Sequence, residues 1–167
     1  VDGQLLGRHN RMNILAAIAA ARHAGVSVEH SIEAMQSFKG IKRRMEVRGE
    51  VRGITVYDDF AHHPTAIMET IDGLKRAAGE ATVWAVLEPR ANTMRMGVHK
   101  EQLAQSLKAA YKILIDQPED MNRNMQPVVD VIGSSAQLYS AIDSIVDVLA
   151  KAAQGGDQIL VMSNGAF

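Results

Sequence analysis

Two spacings of apolar residues divide the chain. In the first forty residues, apolar positions recur three or four residues apart, which is the spacing of a helix with one buried face. This pattern predicts a helix over residues 8–24 with Gly25 as its C-cap, and a second helix that starts after Ser27 and ends at Gly40. The apolar stripes are Ile14, Ala17, Ile18 and Ala21 in the first helix and Val28, Ile32, Met35 and Phe38 in the second.

Beyond residue 44, short β-rich runs alternate with helical patterns. The predicted strands are 45–49, 53–58 (a hairpin with the first, through Gly49 or Gly53), 82–87, 111–116, 128–132 and 158–162. The predicted helices are 64–78, 98–109 and 135–152, and the polar segment 117–127 with its two prolines is a predicted loop. Strands separated by helices indicate a doubly wound, parallel arrangement. We therefore predict the α/β class: a Rossmann-like, mostly parallel sheet with flanking helices, preceded by a short helical tail.

The change of pattern places a predicted domain boundary near Gly40. Two helices alone cannot bury both of their faces, so residues 1–40 are interpreted as the tail of a preceding domain and 41–167 as a second domain. The chain begins without methionine and ends abruptly after a strand. We therefore expect it to be a fragment of a longer protein.

Composition narrows the class of protein. The 18 basic and 19 acidic residues nearly balance, with no basic clustering that would indicate a nucleic-acid or membrane-surface partner. There are no cysteines, which excludes disulfides and favours a reducing cytoplasm. No apolar run approaches the roughly 20 residues that span a bilayer. We expect a cytoplasmic protein without nucleic-acid or membrane partners.

The segment between Tyr57 and Thr65 is the strongest candidate site. It places Asp58, Asp59, His62 and His63 between a predicted strand and a predicted helix, where open α/β sheets bind ligands. These side chains could bind a metal, hold a ribose or contact a phosphate; a zinc site is disfavoured because closed tetrahedral spacing is missing. The alternative is a polar turn with Asp as the helix cap and Pro64 at the first helical position.

Three further segments carry candidate chemistry. His9, Asn10 and Asn13 cluster at the start of the first helix, where amides suit the edge of an adenine ring or simply cap the helix. Arg43 and Arg44 could clamp phosphates or form a solvated charge run. Arg90, Asn92, Thr93 and Arg95 follow a predicted strand and could bind carboxylates or form an ordinary loop, and Ser163-Asn164-Gly165 is predicted to be a turn.

Some common signatures are missing from the sequence. It contains no G-x-x-x-x-G-K-[ST] phosphate loop, no G-x-G-x-x-G dinucleotide fingerprint and no G-x-S-x-G hydrolase elbow.

The ordered motifs G-x-H-N-x-x-N, G-x-x-R-R-x-E and D-D-x-A-H-H-P-T resemble those of the Mur ligase family. The run Glu88 to Gly97 further resembles the branch that attaches a recycled tripeptide. The resemblance implies a full-length protein of three domains: one binds the UDP-substrate, a central one binds ATP, and the third receives the incoming amine. Residues 1–40 would end the central domain and 41–167 would form a truncated C-terminal domain. The phosphate loop, the magnesium-binding acid and the modified lysine would lie upstream.

The resemblance also implies roles for individual residues. His9, Asn10 and Asn13 would face adenine, Arg44 (with Arg43 as the alternative) would reach ATP across the hinge, and Asp59 would hold the ribose. His62 and His63 would line the cleft near the reacting groups as the catalytic candidates, and Arg90, Asn92, Thr93 and Arg95 would recognise the tripeptide. No metal ligand is predicted in this chain, although ATP and Mg²⁺ are the implied cofactors.

The implied activity is an ATP-dependent ligation in bacterial peptidoglycan recycling. The tripeptide L-alanyl-γ-D-glutamyl-meso-diaminopimelate would be joined to UDP-N-acetylmuramate through an acyl phosphate. One alternative is a ligase that adds L-alanine to UDP-N-acetylmuramate, and another is a nucleotide- or peptide-binding module without catalysis. The chain by itself, separated from the implied upstream domains, is expected to bind without turnover.

Overall fold

The computed structural model describes residues 8–38, 40–89, 100–117 and 124–165. Within these ranges, helices and strands alternate along most of the chain. The helices are α1 (Arg8–His23), α2 (Val28–Ser37), α3 (Pro64–Ala78), α4 (Lys100–Leu107), α5 (Gln126–Ile132) and α6 (Ile142–Ala152). The strands are β1 (Glu46–Val51), β2 (Ile54–Asp59), β3 (Val83–Glu88), β4 (Lys112–Asp116), β5 (Ala136–Tyr139) and β6 (Gln158–Ser163).

The strands form one sheet in the order β1-β2-β6-β3-β4-β5. Strand β1 pairs with β2 antiparallel, and every other neighbouring pair is parallel. The predicted mostly parallel α/β fold is therefore confirmed. Asp59 lies opposite Met162 and Glu88 lies opposite Ser163, so the carboxyl ends of β2, β6 and β3 are neighbours at one sheet edge.

Helices cover both faces of the sheet. One core cluster lies between the sheet and α3, α4 and α5, with Ile71, Leu107 and Ile115 fully buried. The second, smaller cluster packs Ile145 of α6 against Trp84 and Leu114. Strand β3 is buried along its whole length because it is central and covered on both sides, as parallel strands usually are.

Helix α3, which leads away from the candidate site, has the bounds that its sequence predicts. His63 is its N-cap, with Nδ1 accepting a hydrogen bond from Thr65 N at 3.4 Å, and Pro64 occupies its first turn. The expected apolar stripe of Ile67, Ile71 and Leu74 is fully buried. The helix start is thus anchored directly after the candidate segment.

The first two helices begin where the sequence predicts, but α2 ends at Ser37 instead of Gly40, and Phe38 has extended backbone. Gly25 follows α1 with φ +91°, and the Ser27 hydroxyl caps α2 by accepting from His30 N at 3.2 Å. Their apolar stripes are only partly buried in the described chain. No helix in the described ranges is long and apolar enough to cross a membrane.

Two predictions near residue 130 were wrong. The predicted strand 128–132 lies inside α5, and the predicted helix 135–152 contains β5 before α6 begins at Ile142. The β-branched residues of α5 favour a strand, but Pro127 lies in its first turn and Val128 is fully buried in the larger core cluster. Tertiary packing therefore outweighs local propensity. The predicted loop 117–127 accordingly stops before Gln126, and its residues 118–123 lie outside the described ranges.

Candidate functional site

The turn after β2 is built around Asp59. Its two carboxylate oxygens accept hydrogen bonds from Met45 N at 2.8 Å and from Ala61 N at 2.7 Å, and the residue is 2% exposed. One side chain thereby ties the segment before β1 to the turn that leads into α3. The structure places the predicted ribose contact in the interior of this turn.

The two histidines of the turn differ in their hydrogen bonds. His62 is half-buried, and its Nδ1 lies 2.9 Å from the carbonyl oxygen of Phe60. Because a carbonyl only accepts, Nδ1 carries the proton and Nε2 keeps the basic lone pair of the neutral ring. His63 is exposed and caps α3, so the helix cap expected from an Asp is supplied by His63 instead.

Arg43 is attached to the ends of two strands. Its Nη2 donates to Ser163 O at 2.6 Å, its Nε lies 3.6 Å from Asp58 Oδ2, and its guanidinium stands 5.3 Å from the centre of the Phe60 ring. The Arg43 backbone also accepts from Phe60 N at 2.8 Å. Arg43 is thus a structural contact of the turn rather than part of a solvated charge run.

Glu46, at the start of β1, completes the attachment of this segment. Its Oε2 accepts from Arg43 N at 2.8 Å. This backbone hydrogen bond is the main reason why the pKa of Glu46 is lowered, with the nearby charges of Arg48 and Lys42 acting in the same direction. The carboxylate is therefore held in its charged, accepting form.

A cleft of about 330 Å³ opens between α1, the segment before β1 and the first turns of α3. Asn10 and Asn13 line it from α1, and Arg44 lines it from the segment before β1. Asn10 is 6% exposed, whereas Asn13 and Arg44 are exposed. The remaining lining residues are Ile41, Ala66, Glu69 and Thr70.

The cleft brings together residues that the sequence separates by about thirty positions. The side-chain amides of Asn10 and Asn13, which both donate and accept hydrogen bonds, line one wall of the cleft, and the guanidinium of Arg44 lies at the same opening. This combination can bind a heteroaromatic base by its edge and an anionic group by charge. The side chain of His9 lies outside the described part of the structure.

Sequence reasoning missed the α3 wall of the cleft. Ala66, Glu69 and Thr70 follow helical i, i+3, i+4 spacing beside the apolar stripe, so they share one face of α3. The signal in the sequence was the polar pair Glu69 and Thr70 beside the buried apolar stripe of α3. This pair indicates a cleft only if α1 lies opposite it, and that arrangement is known only from the tertiary structure.

The end of β6 contacts the end of β3. The Ser163 hydroxyl donates to Glu88 Oε2 and accepts from Gly165 N at 3.1 Å. Glu88 and Ser163 are both buried, and Asn164 Oδ1 is buried without a hydrogen-bond partner among the described residues. The segment 164–165 bends as predicted.

Other predicted site residues stay untested. Arg90, Asn92, Thr93 and Arg95 lie outside the described residues. Among the residues that the structure describes, no group of three or more His, Asp or Glu side chains could hold a metal ion.

Comparison with known proteins places this geometry in a family. The family model described as "Mur ligase, glutamate ligase domain" matches residues 43–165. The chain is 47% identical over 168 residues to UDP-N-acetylmuramate–L-alanyl-γ-D-glutamyl-meso-2,6-diaminoheptandioate ligase of Escherichia coli. That alignment covers 100% of this chain and 37% of the relative, so the chain spans little more than a third of the relative's length.

Solved structures agree with the sequence match. A murein peptide ligase from Psychrobacter arcticus is 45% identical with a TM-score of 0.75, over 100% of this chain and 36% of that one. The MurF ligase of Thermotoga maritima, solved in complex with ADP, has a TM-score of 0.72 over 95% of this chain and 35% of that one. At 21% identity the latter shows the fold alone.

The family model covers most of the chain and includes all six strands, β1 through β6. The chain belongs to the Mur ligase family.

Proposed function

We propose that this chain is the amine-receiving part of an ATP-dependent ligase that acts in peptidoglycan recycling. The longer protein would join L-alanyl-γ-D-glutamyl-meso-diaminopimelate to UDP-N-acetylmuramate. The observation that carries the proposal is the cleft in which Asn10, Asn13 and Arg44 come together. The 47% identity to a ligase of that name, over the whole chain, supports the choice of substrates.

The cleft suits a nucleotide for physical reasons. Asn10 and Asn13 can each donate to and accept from the polar edge of adenine, and Arg44 can make paired hydrogen bonds to a phosphate. The predicted ribose contact of Asp59 has less support, because both of its oxygens already accept backbone N–H groups. We therefore assign adenine and phosphate contacts to α1 and Arg44, and the shape of the turn to Asp59.

The reaction would proceed through an acyl phosphate. The muramate carboxylate attacks the γ-phosphorus of ATP, and ADP leaves. The tripeptide amine then attacks the activated carbonyl, the tetrahedral intermediate expels phosphate, and the amine loses a proton. This chain contributes positioning of the amine and positive charge near the phosphates. Mg²⁺ would be held mainly by residues upstream of this chain.

His62 is the histidine better placed for a role in proton transfer. Its Nδ1 is oriented by the Phe60 carbonyl, which leaves the Nε2 lone pair available to accept the proton of the attacking amine. His63 serves α3 as a cap. We propose His62 as a candidate base and His63 as a structural residue.

The remaining assignments follow from the family. Arg90, Asn92, Thr93 and Arg95 would bind the carboxylates of the tripeptide. Residues 1–40 would end the ATP-binding domain and 41–167 would form the C-terminal domain. The hinge between them would lie near Gly40, and the enzyme would work in the bacterial cytoplasm. Separated from the ATP-binding domain, the chain would bind without turnover.

Phosphate release by the full-length gene product tests this function. We would supply UDP-N-acetylmuramate, ATP and Mg²⁺, and add either the tripeptide or free L-alanine. Release that depends on the tripeptide is the expected result. Release with L-alanine alone would identify the alanine-adding activity instead. No release with either amine would favour a binding module without catalysis.

Variants of the loop residues then separate substrate recognition from the nucleotide site. Arg90→Ala or Arg95→Ala should raise the KM for the tripeptide about tenfold or more, because one charge-assisted contact is lost, while the KM for ATP stays unchanged. Arg48→Ala is the matched control, since Arg48 is exposed on the edge strand β1 and outside the cleft.

A further inference from the structure

Arg44 is framed by two residues with unusual backbone conformation. Arg43 has φ +57° and Met45 has φ +51°, both in the left-handed region that non-glycine residues seldom occupy. Such conformations persist where the surrounding structure imposes them. The segment 43–45 is therefore a shaped turn, and the residue at its centre is the one that lines the cleft.

Each flanking residue is attached to the carboxyl edge of the sheet. Met45 is buried, and its backbone N–H donates to Asp59 at the end of β2. Arg43 reaches Asp58 with Nε and Ser163 at the end of β6 with Nη2, and its own carbonyl accepts from Phe60 N. These contacts hold the turn from both sides of Arg44.

The contacts of Arg43 leave little of its guanidinium for a ligand. Two of its nitrogens face Asp58 and Ser163, and its Cζ lies over the Phe60 ring. Arg44, by contrast, is exposed and lines the cleft. The two adjacent arginines therefore differ in role although they have the same chemistry.

We propose that Arg43 is a positioning residue that acts through Arg44. Its side chain holds the left-handed turn against the ends of β2 and β6, and the turn aims Arg44 at the phosphates. Arg43 does not touch ATP. The inference rests on the proposed nucleotide site and deepens it, because it assigns the phosphate contact to one arginine and the orientation of that contact to its neighbour.

A double-mutant cycle tests the dependence of one arginine on the other. The full-length protein would be prepared as wild type, Arg43→Ala, Arg44→Ala and the double variant, and kcat/KM for ATP measured with the tripeptide saturating. Each single variant should lower kcat/KM by about tenfold or more, with the KM for the tripeptide unchanged. In the Arg44→Ala background, Arg43→Ala should change kcat/KM by less than about twofold, because the group it orients is gone.

A conservative variant and a control sharpen the result. Arg43→Lys keeps the charge but lacks the fork that reaches Asp58 and Ser163 together, so it should recover only part of the lost kcat/KM. Arg76→Ala, which removes an exposed arginine in the last turn of α3, should leave kcat/KM unchanged. If Arg43→Ala lowers kcat/KM by the same factor with and without Arg44, the positioning role is overturned in favour of a direct contact or a general loss of folded protein.

Binding measurements distinguish failure of the inference from failure of the proposed function. ATP would be titrated into the same four proteins by calorimetry in the presence of Mg²⁺. If the wild type binds ATP but releases no phosphate, the ligase assignment is rejected. The double-mutant cycle can then be calculated from the Kd values for ATP, and it still decides the role of Arg43. Absence of ATP binding to the wild type would overturn the inference itself.

Discussion

Two adjacent carboxylates at the end of β2 have different surroundings. Asp59 is buried and accepts two backbone N–H groups, one from Met45 and one from Ala61. Asp58 is partly exposed and lies 3.6 Å from Arg43. A buried donor that loses its acceptor costs far more than a partly exposed ion pair that is broken. At this site the larger share of stability therefore comes from hydrogen bonds to Asp59.

Alanine substitutions of Asp58 and Asp59 should separate the contribution of the ion pair from that of the buried hydrogen bonds. Asp59→Ala leaves the N–H groups of Met45 and Ala61 without their acceptor and should lower the free energy of unfolding by about 2–5 kcal/mol. Asp58→Ala should cost about 1 kcal/mol or less, because solvent screens its pairing with Arg43. Urea denaturation of the chain measures both. Equal losses would show that the hydrogen bonds of Asp59 contribute no more than the neighbouring ion pair.

At the scale of elements, the β1–β2 hairpin has a local weakness. Its two-residue turn consists of Arg52 and Gly53, with φ +53° and +75°. Positive φ at both positions is the type I′ geometry, which favours Asn or Asp before Gly. Arginine is conformationally strained there, and its exposed side chain donates one long hydrogen bond, of 3.4 Å, to Ala150 O.

Arg52→Asn should therefore stabilise the chain. The expected gain is about 0.5–1 kcal/mol, because Asn tolerates the left-handed region better than Arg. Arg52→Ala is the matched control: it removes the same side chain without that tolerance and should give no gain. Thermal unfolding followed through the buried Trp84 measures both variants. A gain of the same size with alanine would point to the lost charge and away from the turn.

At the scale of the whole molecule, burial is uneven along the chain. Among the described side chains of α1 and α2, Asn10 and Ser31 are the buried ones, whereas α3 buries six residues. Regions with few buried apolar groups open at lower free energy than the core. The first two helices should thus open without unfolding of the sheet.

Hydrogen exchange detects this difference. Amides within α1 and α2 of the isolated chain should exchange at least about 100-fold faster than those in the centre of α3, because local opening does not expose the larger core. In the full-length protein the same helices should become protected, since the proposed upstream domain would cover them. Equal exchange rates in α1 and α3 of the isolated chain would mean that both belong to one cooperative unit.

Sequence patterns were sufficient to predict helices and strands where local propensity and tertiary packing favour the same structure. The bounds of α3 follow from Pro64 and a regular apolar stripe, and the order of strands and helices follows from the change in period near residue 45. They failed at α5, where β-branched residues favour a strand and the larger core cluster imposes a helix. Propensity differences are small compared with the free energy of burying such side chains.

The site shows the same division. Residue types at the strand ends and near the first helix could be read from the sequence, as could the motifs shared with the family. The separate contacts of Arg43 with the turn and of Arg44 with the cleft, and the burial of Asp59 inside the turn, became visible in the folded chain. The physical reason is that these roles depend on contacts between residues as far apart as Arg43 and Ser163, which no local spacing records.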